Sequence, residues 1–192
     1  MKVAALAAVA LLVAGCSLGD DGDGASVERA QLEGLVLQPE DLPRAFAVFD
    51  EGRQGITDRP TGERSDPTRF GRIDGWKSRY RRAGSQRTKG PLVIVSFADV
   101  FESADGAQDE LEAIDESDFD AREQPDLGDD ARAWESLQGA AGGVRYYLIA
   151  WREDNASASV LASGFEGNIT FDDALELARK QAARVSRAAS QS

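Results

Sequence analysis

Residues 92–101 are apolar on both alternating faces, with Leu92, Ile94, Ala98 and Val100 on one side and Val93, Val95, Phe97 and Phe101 on the other. Residues 144–152 repeat the pattern, setting Val144, Tyr146 and Leu148 against Tyr147, Ile149 and Trp151. Side chains alternate along a strand, so a strand apolar on both sides must be covered on both sides. A chain with two such strands is layered, with a sheet between helices or loops.

The remaining elements fit around these two. Residues 72–82 alternate as a strand, with Trp76, Ser78 and Tyr80 facing one way and Lys77, Arg79 and Arg81 the other. Residues 45–49 read as a short strand and 131–137 as a weaker one. Glu153-Asp154-Asn155 is a tight polar turn, so 144–152 and 156–163 form a hairpin. The second arm is built of Ala, Ser, Val and Leu; such small side chains let a helix approach closely or leave a hollow. Three helices are expected. Ser26 caps the first, which carries Val27, Leu32, Leu35 and Val36; Ser103 caps the second, with Ala107, Leu111 and Ile114 on one stripe. The third opens on Thr170 and Asp173 as a capping box, and Phe171, Leu175, Ala178 and Val185 follow at helical spacing. Residues 51–69 and 115–130 are polar and broken by Pro and Gly, and read as loops. The expected fold is α+β, a single layered sandwich with a mostly antiparallel sheet of about five or six strands and three helices.

The first sixteen residues have a different character. Lys2 precedes an uncharged apolar run from Val3 to Val13, too short for a bilayer span, which needs ~20 residues. The run fits the core of a secretory signal. It ends in Val13-Ala14-Gly15-Cys16, which resembles the lipobox of bacterial lipoproteins. The resemblance implies cleavage before Cys16 and acylation of its thiol, and two acyl chains give stable anchoring where one does not. Residues 1–15 are therefore the expected signal peptide, 16–26 a lipidated cysteine and Gly/Asp-rich tether, 27–188 a single domain and 189–192 a tail. The aspartates of the tether do not make an EF-hand. With Gly24 at the sixth loop position, the twelfth is Ala30 and not glutamate.

Composition narrows the chemistry. There is no histidine, and Cys16 is the only cysteine, so the domain lacks a histidine base, a cysteine nucleophile and a zinc cage of Cys/His type. No G-x-S-x-G elbow, phosphate-binding loop or dinucleotide fingerprint is present. Carboxylates, serines, tyrosines and lysines remain as catalytic candidates, but nothing supports a dyad of Ser103 or Ser163 with Lys180, and among 34 acidic residues no pair stands out. No cofactor or metal is expected. A net charge of −12 argues against nucleic-acid binding, which needs a basic footprint. Asn155-Ala156-Ser157 and Asn168-Ile169-Thr170 match glycosylation sequons, taken as accidental in a bacterial lipoprotein.

Against the acidic background, residues 69–89 carry eight basic residues and a single acid, Asp74, with Phe70, Trp76 and Tyr80 interleaved. One reading is a face for an anionic partner such as lipid headgroups, an envelope polymer or an acidic protein. The plainer reading, favoured here, is an edge strand protected by charge. Trp134 falls out of phase in its strand, sharing a face with Arg132 and Ser136. It lines a pocket or interface, or that face is also buried; burial is expected because neighbouring strands are apolar on both sides. The candidate binding surface is Trp76, Lys77, Arg79, Tyr80, Arg81 and Trp134.

Several local motifs occur in a suggestive order: Leu42-Pro43, then residues 71–76 (GRIDGW), 101–107 (FESADGA), 127–131 (LGDDA) and 151–155 (WREDN). Together they resemble extracytoplasmic domains of actinobacterial lipoproteins, similar in outline to PsbP-like α/β/α sandwiches and to the sensor domains of mycobacterial receptor kinases. The resemblance implies a non-catalytic binding or sensing module at the outer face of the cell membrane, and it transfers no ligand residues. Two other functions stay open: a carrier with an apolar cavity, and an envelope hydrolase using carboxylates.

Overall fold

Alternation in the strands and a helical stripe near the C-terminus translate directly into a sheet with a long helix across it. The computed structural model describes residues 26–54, 70–114, 117–139 and 142–191. The expected signal peptide, Cys16 and nearly all of the expected tether lie outside the described residues. The strands are β1 (Ala47–Arg53), β2 (Arg72–Arg81), β3 (Val93–Phe101), β4 (Asp120–Ala121), β5 (Asp130–Gln138), β6 (Val144–Glu153) and β7 (Ala156–Phe165). They form one seven-stranded sheet, ordered β1-β2-β3-β7-β6-β5-β4, in which every neighbouring pair is antiparallel. The helices are α1 (Leu32–Leu35), α2 (Ala104–Glu112) and α3 (Phe171–Ala189).

The sheet therefore has seven strands, not five or six. The added one is β4, two residues inside the segment read as a loop, which pairs Asp120 with Glu135 and Ala121 with Trp134. So short a strand leaves no periodicity in the sequence. The first helix is also shorter than expected. Its start is a 3-10 turn at Arg29–Gln31 preceded by Glu28, not Ser26, and Gln31 Oε1 accepts the Glu28 amide at 2.8 Å.

The doubly apolar strands occupy the middle of the sheet, as their sequence requires. On one face, Ile94, Ala98 and Val100 of β3, Ala158, Val160 and Ala162 of β7, and Ile149 and Trp151 of β6 lie under α1 and α3. Ala174, Ala178 and Ala182 of α3 meet these small β7 side chains, so the small residues admit a helix. Each fully buried Leu or Val contributes about 1.5–3 kcal/mol. On the other face, Leu111 of α2 packs with Trp134, Leu148 and Ala150, partly flanked by Leu161. The two helices start as the sequence indicates: Ser103 Oγ accepts the Gly106 amide, and Thr170 Oγ1 accepts the Asp173 amide, both at 3.2 Å.

The N-terminal segment is tied into the core by buried polar groups. Ser96 Oγ accepts the Leu37 amide at 2.9 Å and donates to Gln181 Oε1 at 2.7 Å, while Gln181 Nε2 donates to the Phe97 carbonyl at 2.7 Å. Gln181 is fully buried on α3, so one side chain joins helix, sheet and N-terminal segment.

Candidate binding surface

The pleat of β2 divides five of the six candidate residues, and the sixth, Trp134, lies on β5. Trp76, Ser78 and Tyr80 face the α3 side; Lys77, Arg79 and Arg81 face the α2 side. Tyr80 is only 1% exposed, and its hydroxyl donates to the Leu37 carbonyl at 2.7 Å. Burial raises its pKa above the ordinary tyrosine value. Trp76 is half-buried against the core. Trp134 is 2% exposed and packs beneath α2, so its out-of-phase position reflects a second covered face. Tyr80 and Trp134 are core residues and present no surface.

Nor is β2 an edge strand. It lies between β1 and β3, and the edge is β1. The basic side chains of β2 instead meet acids brought by its neighbours. Lys77 Nζ lies 2.9 Å and Arg79 Nη1 3.0 Å from Asp50 Oδ2, which β1 places on the same face. Arg72 pairs with Asp99 of β3, both nearly buried, and also donates to the Gln54 carbonyl at 3.0 Å. Gly75 sits directly beneath that pair, and a Cβ there would land on both charged groups. Asp74 binds Arg29 at 2.8 Å and Arg53 at 2.5 Å. Burial raises its pKa, but the Gly75 amide and the two guanidinium groups outweigh it and hold the carboxyl below the ordinary value.

What remains unpaired is the end of the β2–β3 hairpin. Arg81, Arg87 and Lys89, with Arg44 nearby in sequence before β1, are exposed and make no ion pair among the described residues. Arg81 stacks over Phe49 at 5.3 Å, and Phe49 is 45% exposed. The hairpin loop is braced from several directions. Arg82 donates to the Pro91 carbonyl at 2.7 Å and to the Lys89 carbonyl, and its guanidinium lies over Phe46 at 5.1 Å. Ser85 and Thr88 bond each other through side chain and backbone, and the Gly90 amide donates to the Asn168 carbonyl at 2.6 Å. A braced loop presents its cations without a large ordering cost. The sequence signal was available: residues 75–98 contain no acid at all.

Beside this loop lies a groove of about 210 Å³ with Pro43, Phe46, Pro91, Ile94 and Leu177 on its floor and Arg82, Asp173, Glu176 and Lys180 around it. A second groove, about 330 Å³, lies between α1 and the end of α3, where Arg184 and Arg187 face Gln31 and Gly34. The buried carboxylates Asp99 and Glu110 line neither groove. Among the described residues no cluster of three or more acidic, histidine or cysteine side chains is arranged to hold a metal ion, and no helix is long and apolar enough to cross a membrane.

Neither a family model nor a curated protein matches the sequence. Among solved structures, the extracellular domain of PknH from Mycobacterium tuberculosis is similar, with a TM-score of 0.65 over 85% of this chain and 99% of that one. The identity is 12%, so the likeness is one of fold: both chains build the same α+β architecture.

Proposed function

We propose that this chain is an extracytoplasmic lipoprotein, anchored through Cys16, whose domain is a non-catalytic binding module that reads an anionic partner with the tip of its β2–β3 hairpin. The observation that carries the reading is the division of charge along that hairpin. Lys77 and Arg79 share the Asp50 carboxylate, whereas Arg81 at the end of β2 and Arg87 and Lys89 on the braced loop are exposed and make no ion pair among the described residues. Unpaired surface cations in a chain of net charge −12 keep a local positive field, which steers anionic partners and sets association rates. The likeness to an extracellular domain supports a location outside the cytoplasm, and the signal-like run ending in Cys16 supports the anchor.

The anchor is tested by replacing Cys16 with serine and following labelled-lipid incorporation and membrane fractionation. Loss of both is expected; a variant that still incorporates lipid overturns the anchoring half of the proposal. The recognition half is tested by binding of the purified protein to an immobilised polyanion against rising salt. Retention by the parent and loss on reversing Arg87 and Lys89 are expected, and equal retention of the two overturns it.

A further inference from the structure

The two ends of the sheet differ in charge and in what is attached to them. Val27, where the chain enters the domain, is bonded to Asn155 at the end of β3 marked by Phe101. Arg81 pairs with Val93 at the opposite end of that nine-residue strand. At ~3.3 Å per residue the separation is roughly 25–30 Å. The Val27 end is acidic at its surface, with Glu102, Asp105 and Asp129 exposed around it. Ten residues separate Cys16 from Val27, and a chain of that length reaches at most about 35–40 Å. An anchor at Cys16 thus holds the acidic end nearest the bilayer, and the cationic tip reaches the bilayer only if the domain inverts on a nearly stretched tether.

The surface next to the tip is not purely electrostatic. The Phe46 groove shares Arg82, Gly90 and Pro91 with the base of the cationic loop. At about 210 Å³ it falls below the size of a small-molecule pocket and suits a single apolar side chain. A polyphosphate or an acidic glycan would use the cations and leave this floor empty. A polypeptide segment with carboxylates around one apolar residue uses both.

From this we infer that the Phe46 groove and the loop cations Arg87 and Lys89 form one docking site for an acidic protein segment bearing an apolar side chain, presented on the side away from the anchoring membrane. The inference rests on the tip being the recognition surface and names its partner class. Charge complementarity at Arg87 and Lys89 selects the acidic segment, its carboxylates on the loop side because Asp173 and Glu176 line the helix side of the groove, and the groove selects protein over a simple polyanion.

The test uses the full chain and four probes: a glutamate-rich peptide with a central leucine, the same peptide with serine in place of leucine, inorganic polyphosphate, and vesicles containing phosphatidylglycerol. The leucine peptide should bind about tenfold more tightly than the serine peptide, a difference worth about 1.4 kcal/mol. Reversing Arg87 and Lys89 should weaken it about tenfold and flatten its salt dependence. Glu176→Trp, on the exposed rim of the groove, should abolish the preference for leucine without disturbing the fold. Equal affinity for the two peptides, or retained preference in Glu176→Trp, overturns the groove. Tighter binding of polyphosphate or of the vesicles than of the leucine peptide overturns the protein partner while leaving a cationic tip intact. Indifference of all four probes to the Arg87 and Lys89 reversal overturns the tip itself.

Discussion

The side-chain amide of Asn155 holds both backbone groups of Val27: Oδ1 accepts the Val27 amide at 2.8 Å and Nδ2 donates to its carbonyl at 3.2 Å. The same Nδ2 reaches the Phe101 carbonyl at 2.9 Å, and the Phe101 amide donates back to the Asn155 carbonyl. A residue of the β6–β7 turn thereby fixes the N-terminal segment and the end of β3. Asp154, with φ at 51°, adopts the left-handed conformation that makes this turn and turns Asn155 inward. The Asn155 sequon is closed by the same contacts, since its nitrogen is engaged and the residue is 7% exposed.

Asn155→Ala leaves the Val27 amide and two carbonyls without their partners. The expected cost is about 2–4 kcal/mol, from unmet buried polar groups plus the lost turn residue. Urea unfolding should show a lowered midpoint with an unchanged slope, because the same surface is exposed on unfolding. A midpoint equal to that of the parent would show that Val27 is not held by this contact.

Gln181 is the corresponding lock on the other side of the core. Gln181→Leu keeps its bulk but removes the acceptor of the Ser96 hydroxyl and one donor to the Phe97 carbonyl, leaving the hydroxyl hydrogen buried without a partner. A loss of about 2–3 kcal/mol is expected by thermal or urea unfolding. Ser96→Ala combined with Gln181→Leu should cost less than the sum of the two single changes, since each single change already breaks the shared bond.

The outline of this domain was legible because its strands carry period-two patterns and its helices carry side-chain caps. Thr170 with Asp173 and Ser103 with Gly106 behave as their spacing indicates. The candidate surface was less legible, for a non-local reason. Whether Lys77 and Arg79 are free depends on Asp50, whose position across from Arg79 is set by strand pairing and by an irregularity between Val48 and Asp50. Likewise the burial of Tyr80 depends on the Leu37 carbonyl, far away in the chain. Neither relationship leaves a periodic trace. The seventh strand is invisible for the simpler reason that two residues cannot show a period.

Acid titration should move stability in two opposite steps. Burial raises the pKa of Glu153 and of Asp154, which is also raised by the charge of Asp129. A carboxyl whose folded pKa is raised binds its proton more tightly when folded, so stability increases as pH falls through that raised value. Asp74 is shifted down, so the stability it contributes is present above its unfolded pKa and is lost as pH falls through the lowered folded value. Melting temperature should therefore rise on mild acidification and fall on stronger acidification. Glu153→Gln should raise the melting temperature at neutral pH and shrink the first step. A monotonic fall from neutral pH in the parent would contradict this assignment.

The buried pair Arg72–Asp99 gives a further prediction. With side-chain exposures of 10% and 7%, neither group is well solvated. Arg72→Met leaves Asp99 without this partner and should destabilise by about 3–5 kcal/mol. Replacing both, Arg72→Met with Asp99→Leu, should recover most of that loss, because a buried pair exchanged for packed apolar groups is often neutral. Failure of the double change to recover stability would mean that the Arg72 bond to the Gln54 carbonyl, and not the ion pair, carries the cost.

Charge changes at the two ends of β2 should separate stability from recognition. Lys77 and Arg79 share Asp50, whose side chain is 35% exposed, so neutralising both to methionine removes two partly screened pairs and should cost about 1 kcal/mol or less. It should change the salt dependence of polyanion binding less than changes at 87 and 89 do, since Asp50 already offsets part of that charge in the free protein. Reversing Arg87 and Lys89 removes no ion pair and should leave the unfolding free energy within about half a kcal/mol of the parent. Its effect should fall on association rate and salt dependence, the quantities that uncompensated surface charge controls. Stopped-flow association at two ionic strengths, read beside unfolding curves, separates the cases. The opposite pattern, with binding lost at 77 and 79 and retained at 87 and 89, would place recognition on the sheet face and not at the hairpin tip.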